Sequence, residues 1–248
     1  MPEAGAPPFS INHGSPRRAL IAGVWEAFGA PFWVLFGSYI GFGSLVRETG
    51  LGLGLGLLST LTTLALPGQV AMIELYGVGA SLLAIFVAVA LTNARLMPMA
   101  MTLMPILRLP GRARWRYYLV AHLVAVTGWA VSLVKCPDMP PDQRMPFFVG
   151  FAGTIATACM LGTAGGFLVS GAVPAAVSLG LVFLNPVYFL LLFLTDWRVR
   201  WRVLALVFGA ISAPFFHWLS PTWGLLMTGV VAGSLAFIVS RAGRLNHV

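Results

Sequence analysis

The chain contains 248 residues, of which 58% are hydrophobic and only 9% are charged, and its formal net charge is +8. A soluble domain carries about 25% charged residues, so this composition excludes a globule whose surface faces water. The chain is predicted to be all-α: a polytopic membrane helical bundle with about 6–8 membrane segments, some of them broken or re-entrant.

The first apolar runs are both interrupted. Residues 20–46 include Glu26 and a Gly29-Ala30-Pro31 break, which indicates a bent span or an interfacial helix leading into one. Glycines alternate at positions 50, 52, 54 and 56 around the start of residues 51–66, and we interpret this run as a glycine-surfaced helix packed tightly against its neighbours. This helix stops at Pro67-Gly68 and resumes over 69–76.

The next run, residues 80–107, is long for one straight span, and Asn93, Arg95 and Pro98 divide it. The remaining apolar runs are 117–134, a clean span that contains His122; 147–169, with a glycine cluster; 173–195, broken at Asn185-Pro186; and the pair 203–219 and 222–240. Residues 1–18 are expected to form a cytoplasmic tail, 19–241 a single transmembrane transporter domain, and 242–248 a short C-terminal tail.

The basic clusters constrain the topology. Those at Arg17-Arg18, 108–116, 198–202 and 241–244 should all be cytoplasmic, which requires an even number of crossings between successive clusters. The apolar runs in these intervals number three, three and two. Both odd intervals contain a run broken by proline beside Asn or Gln, and the parity is restored if one broken segment in each is re-entrant or splits differently. The order of runs and basic loops also suggests an internal repeat.

The polar residues between Leu64 and Pro105 are the strongest indication of a functional site. Prolines within a span free backbone carbonyls, and a charge near its middle costs about 2.5–3.5 kcal/mol on insertion scales. Two interrupted polar segments close in sequence are typical of a substrate site at the bilayer midplane of secondary transporters. The predicted substrate-binding residues are Pro67, Gly68, Gln69, Asn93, Arg95 and Met97.

The charged candidates each have two interpretations. Arg95 could clamp a substrate carboxylate through two hydrogen bonds, or it could form a structural ion pair with Glu26 or Glu74. Glu26, Glu74 and His122 are the candidates for ion pairing or for coupling to an ion. His122 could relay protons, or it could make a hydrogen bond that serves packing.

The neutral candidates are equally open. Gln69 lies where a helix restarts, so the free N–H groups there could bind a carboxylate, or its amide could satisfy stray carbonyls at a kink. Asn93 could hold a substrate amine or carboxylate, or bridge helices. Met97, Met101 and Met104 share one helix face, which could accept an apolar side chain or serve packing and lipid contact.

No catalytic, nucleotide-binding or nucleic-acid-binding motif is visible in the sequence, so the chain is not expected to be an enzyme or to bind nucleic acid. Cys136 and Cys159 form no CxxC pair, and neither a metal nor a cofactor is expected. Two alternatives stay open: a non-transporting membrane scaffold and an intramembrane lipid-modifying enzyme.

The segment Leu64–Pro105 resembles the signature region of AzlC family permeases, the large subunits of a branched-chain amino acid export system. The matching features are Gln69 at the end of a small-residue turn, Gly79-Ala80-Ser81, and Asn93-x-Arg95 before a Leu- and Met-rich run. The chain departs from the family pattern at Leu66 and Leu96, as a divergent member would.

The resemblance implies a function and a location. It implies a permease of the bacterial inner (plasma) membrane, with a cytoplasmic N-terminus, that exports branched-chain or similar small apolar amino acids. It also implies a small AzlD-like membrane subunit as a partner. Transport would be secondary and driven by an ion gradient, since no nucleotide site exists in the sequence.

Overall fold

The computed structural model describes residues 10–109, 111, 113–170, 174–195, 200–219 and 224–245, and these form α-helices and one short 3-10 turn. The helices are α1 (Pro16–Ala27), α2 (Ala30–Glu48), α3 (Leu53–Thr63), α4 (Leu66–Gly77), α5 (Leu82–Asn93), α6 (Leu96–Leu107), α7 (Arg114–His122), α8 (Val126–Lys135), α9 (Pro141–Val169), α10 (Ala175–Thr195), α11 (Arg200–Leu219) and α12 (Gly224–Leu245). Of the predicted tails, residues 1–9 and 246–248 lie outside the described residues, as do residues 196–199 of the second basic loop.

Several breaks fall where proline and glycine predict them. α1 and α2 meet at Gly29 with a bend of 59°, and Pro31 lies in the first turn of α2. α3 ends at Thr63, and the next residue, Leu64, has a left-handed backbone (φ 44°); α4 begins at Leu66 with Pro67 in its first turn. α5 and α6 are bent by 43° between Asn93 and Leu96.

Two predictions about helix continuity were wrong. Residues 117–134 are not a clean span, because α7 ends at His122 and α8 starts at Val126 with a bend of 119°. Residues 173–195 are not broken at Asn185-Pro186, since α10 continues through Pro186. A proline inside a membrane helix frees one carbonyl, which neighbouring groups can satisfy without a break.

The helix lengths fit a membrane bundle. Among the described residues, α9 is the one helix that is long and apolar enough to cross a bilayer by itself. The total rises to four when each bent pair, α1–α2, α5–α6 and α7–α8, is taken as one span. Shorter apolar helices accompany them at Leu53–Thr63, Val203–Phe216 and Met227–Val239. The all-α membrane bundle is therefore confirmed, whereas the number of 6–8 segments stays a prediction.

The chain separates into two compact units, residues 1–185 and 186–248. In the second unit α11 packs against α12. In the first unit α1 and α2 lie along α9 and run parallel to it. The prediction of a single domain over 19–241 stays a prediction.

Glycines make the contact with α9 close. A Cβ at Gly23 would collide with the Phe147 carbonyl, and one at Gly166 would collide with the Ile40 carbonyl. Of the alternating glycines around the start of α3, only Gly56 packs, against Val46; a Cβ added at Gly52 or Gly54 would have no described atom within 4 Å. The predicted glycine-surfaced helix is thus wrong for most of its glycines, which lie in the turn and the first, exposed residues of α3.

Candidate functional site

The break between α3 and α4 lies against the break between α5 and α6. A Cβ added at Gly68, in the first turn of α4, would stand 2.5 Å from Oδ1 of Asn93, the last residue of α5. Only glycine leaves room for this carboxamide. The sequence-predicted residues Gly68 and Asn93 are therefore neighbours.

Each break lies far from the distal end of the helix that begins at it, α4 for the first break and α6 for the second. α4 and α6 each have twelve residues, so the breaks stand about 18 Å from Gly77 and from Leu107 at a rise of 1.5 Å per residue. α9, with 29 residues, is about 43 Å long on the same measure. The distance from each break to the far end of its helix is thus a little under half the length of α9.

Gln69 is buried, with 1% of its surface exposed, and its carboxamide is hydrogen-bonded on both sides. The Tyr39 hydroxyl donates to Oε1 at 2.8 Å. The Nε2 group donates to Ser59 Oγ at 3.1 Å and to Thr60 Oγ1 at 3.0 Å. Gln69 thus joins the two arms of the α3–α4 pair to each other and to α2.

The network continues into α9. The hydroxyls of Thr60 and Thr163 lie 3.0 Å apart, and Thr163 donates to the Cys159 carbonyl at 2.9 Å. Sequence reasoning missed Tyr39, Thr60 and Thr163, because nothing local distinguishes them from other small or aromatic residues of apolar runs. Their partner Gln69 was the available signal, since a buried amide needs several hydrogen-bond partners.

Two polar groups beside this network have no partner. Oδ1 of Asn93 is buried, and no described residue donates a hydrogen bond to it. Arg95 follows as the N-cap residue of α6, with an exposed side chain that makes no hydrogen bond or ion pair within the described part of the chain. An unpaired acceptor and an unpaired cation thus lie two residues apart in the sequence at this break.

The structural ion pair considered for Arg95 does not form. Glu26 is bonded to Lys135, with 2.7 Å between the carboxylate and Nζ, and this pair links α1 to α8. Glu74 is exposed and has no ion-pair partner among the described residues. Neither carboxylate neutralises the charge of Arg95.

The apolar candidates lie on the outside of the unit. Met97 and Met101 are exposed, with 69% and 65% of their surfaces accessible, and they share one face of α6. Pro67 is partly buried at the start of α4. Met97 and Met101 therefore lie outside the packed core, whereas Met104 of the same face packs against it.

His122 links the break between α7 and α8 to the break between α3 and α4. Its Nε2 lies 2.7 Å from the carbonyl oxygen of Leu61, in the last turn of α3. A carbonyl only accepts, so Nε2 carries the proton in this contact. The carbonyls in the last turn of a helix lack helical partners, and the imidazole satisfies one of them.

A further polar group was not anticipated from the sequence. Ser44 and Ser178 are buried and share a 2.8 Å hydrogen bond, and Ser44 donates to Glu48 at 3.2 Å. No group of three or more His, Cys, Asp or Glu side chains in the described ranges is placed to hold a metal ion.

Comparison with known proteins identifies the family. The chain matches the family described as AzlC protein over residues 31–173, which is more than half of its length and runs from the first turn of α2 to beyond the end of α9. No curated protein and no solved structure matches the chain. The chain therefore belongs to the AzlC family, a family of membrane proteins associated with branched-chain amino acid transport.

Proposed function

We infer that this protein is a secondary membrane transporter that exports branched-chain or similar small apolar amino acids. The observation that carries the proposal is the contact between Gly68 and Asn93, which brings two helix breaks together beside the unpaired Arg95. Broken helices that meet near mid-depth provide free backbone groups and polar side chains for a zwitterion.

The free groups complement the two charges of an amino acid. The Arg95 guanidinium supplies paired N–H donors that fit a carboxylate. Oδ1 of Asn93 is an unoccupied acceptor, which an ammonium group would fill. The exposed thioether face at Met97 and Met101 would accept an aliphatic side chain, because methionine adapts to varied apolar shapes.

Gln69 has a supporting role in this proposal. Its amide bonds to Tyr39, Ser59 and Thr60 hold the two arms of α3–α4 at a fixed separation, which places Gly68 against Asn93. Direct contact of Gln69 with the substrate stays a prediction.

Coupling to an ion gradient would use a titratable residue near the breaks. His122 is favoured over Glu26, since it contacts the broken helix α3, whereas Glu26 is already neutralised by Lys135. Glu74 is exposed in α4 without an ion-pair partner among the described residues and is retained as a second candidate.

The proposed location is the bacterial inner membrane with a cytoplasmic N-terminus. Basic residues in unit 1 concentrate where α1 begins and between α6 and α7, as they do in cytoplasmic loops. An AzlD-like small subunit is proposed as the partner from the family alone.

The experiment is amino acid uptake by everted membrane vesicles, in which export appears as accumulation. Vesicles that contain the protein, with and without a co-expressed small subunit, should accumulate labelled leucine or valine faster than empty vesicles. Arg95→Gln should abolish the difference, whereas Arg108→Gln, at the other end of α6, should not. Rates equal to those of empty vesicles in both preparations would refute the substrate assignment.

A further inference from the structure

The first unit has two distinguishable ends. At the basic end, where α1 and α9 start, the backbone N–H of His13 donates to Gln143 Oε1 at 2.8 Å. At the opposite end, where α2 and α9 finish, the Arg47 guanidinium donates to the Phe167 carbonyl at 3.0 Å. We call the latter the Glu48 end, after the last residue of α2.

The α3–α4 pair begins and ends at the Glu48 end. Its start is tied to α2, because the Leu51 N–H donates to the Val46 carbonyl at 3.1 Å. Its finish returns to the same place, since a Cβ at Gly77 would lie 3.8 Å from the Thr49 methyl group. Each arm is 11 or 12 residues long, so the turn at Leu64 reaches about 17 Å into the unit.

The α7–α8 pair begins and ends at the basic end. Its start is held at the end of α6, because the Tyr117 hydroxyl donates to the Leu109 carbonyl at 2.7 Å. Its finish lies there as well, since the Arg144 guanidinium donates to the carbonyls of Pro137 at 3.3 Å and Ile106 at 3.5 Å. The bend of 119° between the arms reverses the chain direction.

The turns of the two pairs are in contact. His122, the last residue of α7, lies 2.7 Å through Nε2 from the Leu61 carbonyl in the last turn of α3. A few residues further on, Gly68 faces Asn93 at the candidate site. The two chain reversals thus meet next to the place where the substrate is proposed to bind.

We propose that α3–α4 and α7–α8 are re-entrant hairpins that enter the bilayer from opposite faces, and that the His122–Leu61 contact between their tips closes the transport path. Non-helical backbone at this depth is tolerated where it is buried in protein or lines a cavity, which is what a gate requires. The topology stands independently of transport, whereas the gating rests on the proposed function.

This arrangement explains the parity of the basic clusters. A hairpin that returns to its own face adds no crossing, so the interval between Arg17-Arg18 and 108–116 contains two crossings, α1–α2 and α5–α6. The interval that follows keeps two apolar runs, 147–169 and 173–195. Both numbers are even, as cytoplasmic basic loops require.

Labelling of single cysteines by a membrane-impermeant maleimide tests the topology. In a background lacking Cys136 and Cys159, the reporters would be Gly52→Cys and Val78→Cys for the two ends of α3–α4. Intact cells and everted vesicles are compared, with Ser10→Cys marking the basic end. Both reporters should be labelled from the face opposite to Ser10→Cys. Labelling of the two from different faces would show that α3–α4 crosses the bilayer and would overturn the proposal.

The second hairpin has the complementary test. Ala113→Cys and Asp138→Cys, at the two ends of α7–α8, should both be labelled from the same face as the marker at the basic end. Division of these two reporters between the faces would equally refute opposed hairpins. Neither result depends on whether leucine is transported, so a failure of the proposed function is read separately, from the vesicle uptake.

The gate is tested by the accessibility of its tip. Thr62→Cys lies in the exposed last turn of α3, and its labelling rate should rise about five- to tenfold when His122→Ala removes the tip hydrogen bond. Tyr118→Ala, an exposed position on the same helix, is the matched control and should leave the rate unchanged. His122→Gln, which keeps an N–H donor, should restore most of the protection. An unchanged rate in His122→Ala, with leucine uptake intact in the parent, would contradict the gate alone.

Discussion

The packing of α1, α2 and α9 differs in kind from the packing of the broken helices α3 to α8. The first set is held by backbone-to-backbone contact through glycines such as Gly23 and Gly166. The second set packs its apolar side chains against α9, and its helix ends are joined by hydrogen bonds such as that from His122 to the Leu61 carbonyl; beside them lie the unpartnered Oδ1 of Asn93 and the unpaired Arg95. Close glycine packing resists deformation, whereas a contact between helix ends that rests on one hydrogen bond, as His122 to Leu61 does, can open at small cost. A rigid frame therefore supports a movable set of half-length helices.

The largest effect is expected in the frame. Gly166→Ala should destabilise the protein by about 3 kcal/mol or more, because the new methyl group collides with the Ile40 carbonyl and neither backbone can move aside. The measurement is the thermal unfolding midpoint in detergent. Gly165→Ala is the matched control, since its new methyl group would have no described atom within 4 Å. Equal midpoints for the two variants would show that the α2–α9 contact is not close.

The next effect is expected where the broken helices meet. Gly68→Ala should abolish leucine uptake and cost about 1–3 kcal/mol of stability, because its methyl group overlaps the Asn93 carboxamide. Adding Asn93→Ala removes the overlap, so the double variant should regain the unfolding midpoint of Asn93→Ala alone and still lack uptake. Full stability and full uptake in Gly68→Ala would show that Gly68 and Asn93 are not in contact.

A smaller effect is expected in the hydrogen-bond network. Gln69→Leu should cost about 1–2 kcal/mol, since it leaves Ser59 and Thr60 without the amide that joins them to α4. Tyr39→Phe should cost about 1 kcal/mol, as it removes one hydrogen bond. A double-mutant cycle between Tyr39 and Gln69 should give a coupling of about 1 kcal/mol, and purely additive effects would argue against the bond.

The smallest effect concerns the turn of the α3–α4 hairpin. Leu64 has φ 44°, a left-handed backbone conformation that costs residues other than glycine about 1–2 kcal/mol. Leu64→Gly should relieve part of that strain and raise stability by up to about 1 kcal/mol, the remainder being offset by the extra chain entropy of glycine. Leu58→Gly, inside α3, should instead lower the stability by about 1 kcal/mol, which would appear as a lower unfolding midpoint. A loss of stability in Leu64→Gly would mean that its side-chain packing outweighs the backbone strain.

The sequence predicted most of the breaks and failed at one that has no proline. Pro31 and Pro67 mark interruptions because a ring without an N–H is best accommodated in the first turn of a new helix. The break after His122 carries no such residue, so it depends on tertiary contacts such as the bond from His122 to Leu61. Conversely, Pro186 indicated a break that α10 does not have.

The candidate site was predictable in its position and less so in its partners. Asn93 and Gly68 are recognisable because an amide and a glycine beside helix breaks are costly in lipid. Tyr39 and Thr163 are distant in sequence, and a hydroxyl within an apolar run can equally bond to its own helix, so their link to Gln69 needs the fold. Glu26 was one of two possible ion-pair partners considered for Arg95, and its carboxylate pairs instead with Lys135.

The central claim is that an amino acid binds where the helix breaks meet, and equilibrium binding of labelled leucine to the purified protein tests it most directly. Arg95→Gln should weaken leucine binding at least tenfold, the loss expected when a desolvated carboxylate loses its charged donor pair. Arg108→Gln, with an unaltered break, should bind like the parent. Leucine binding by Arg95→Gln that equals the parent would contradict the account.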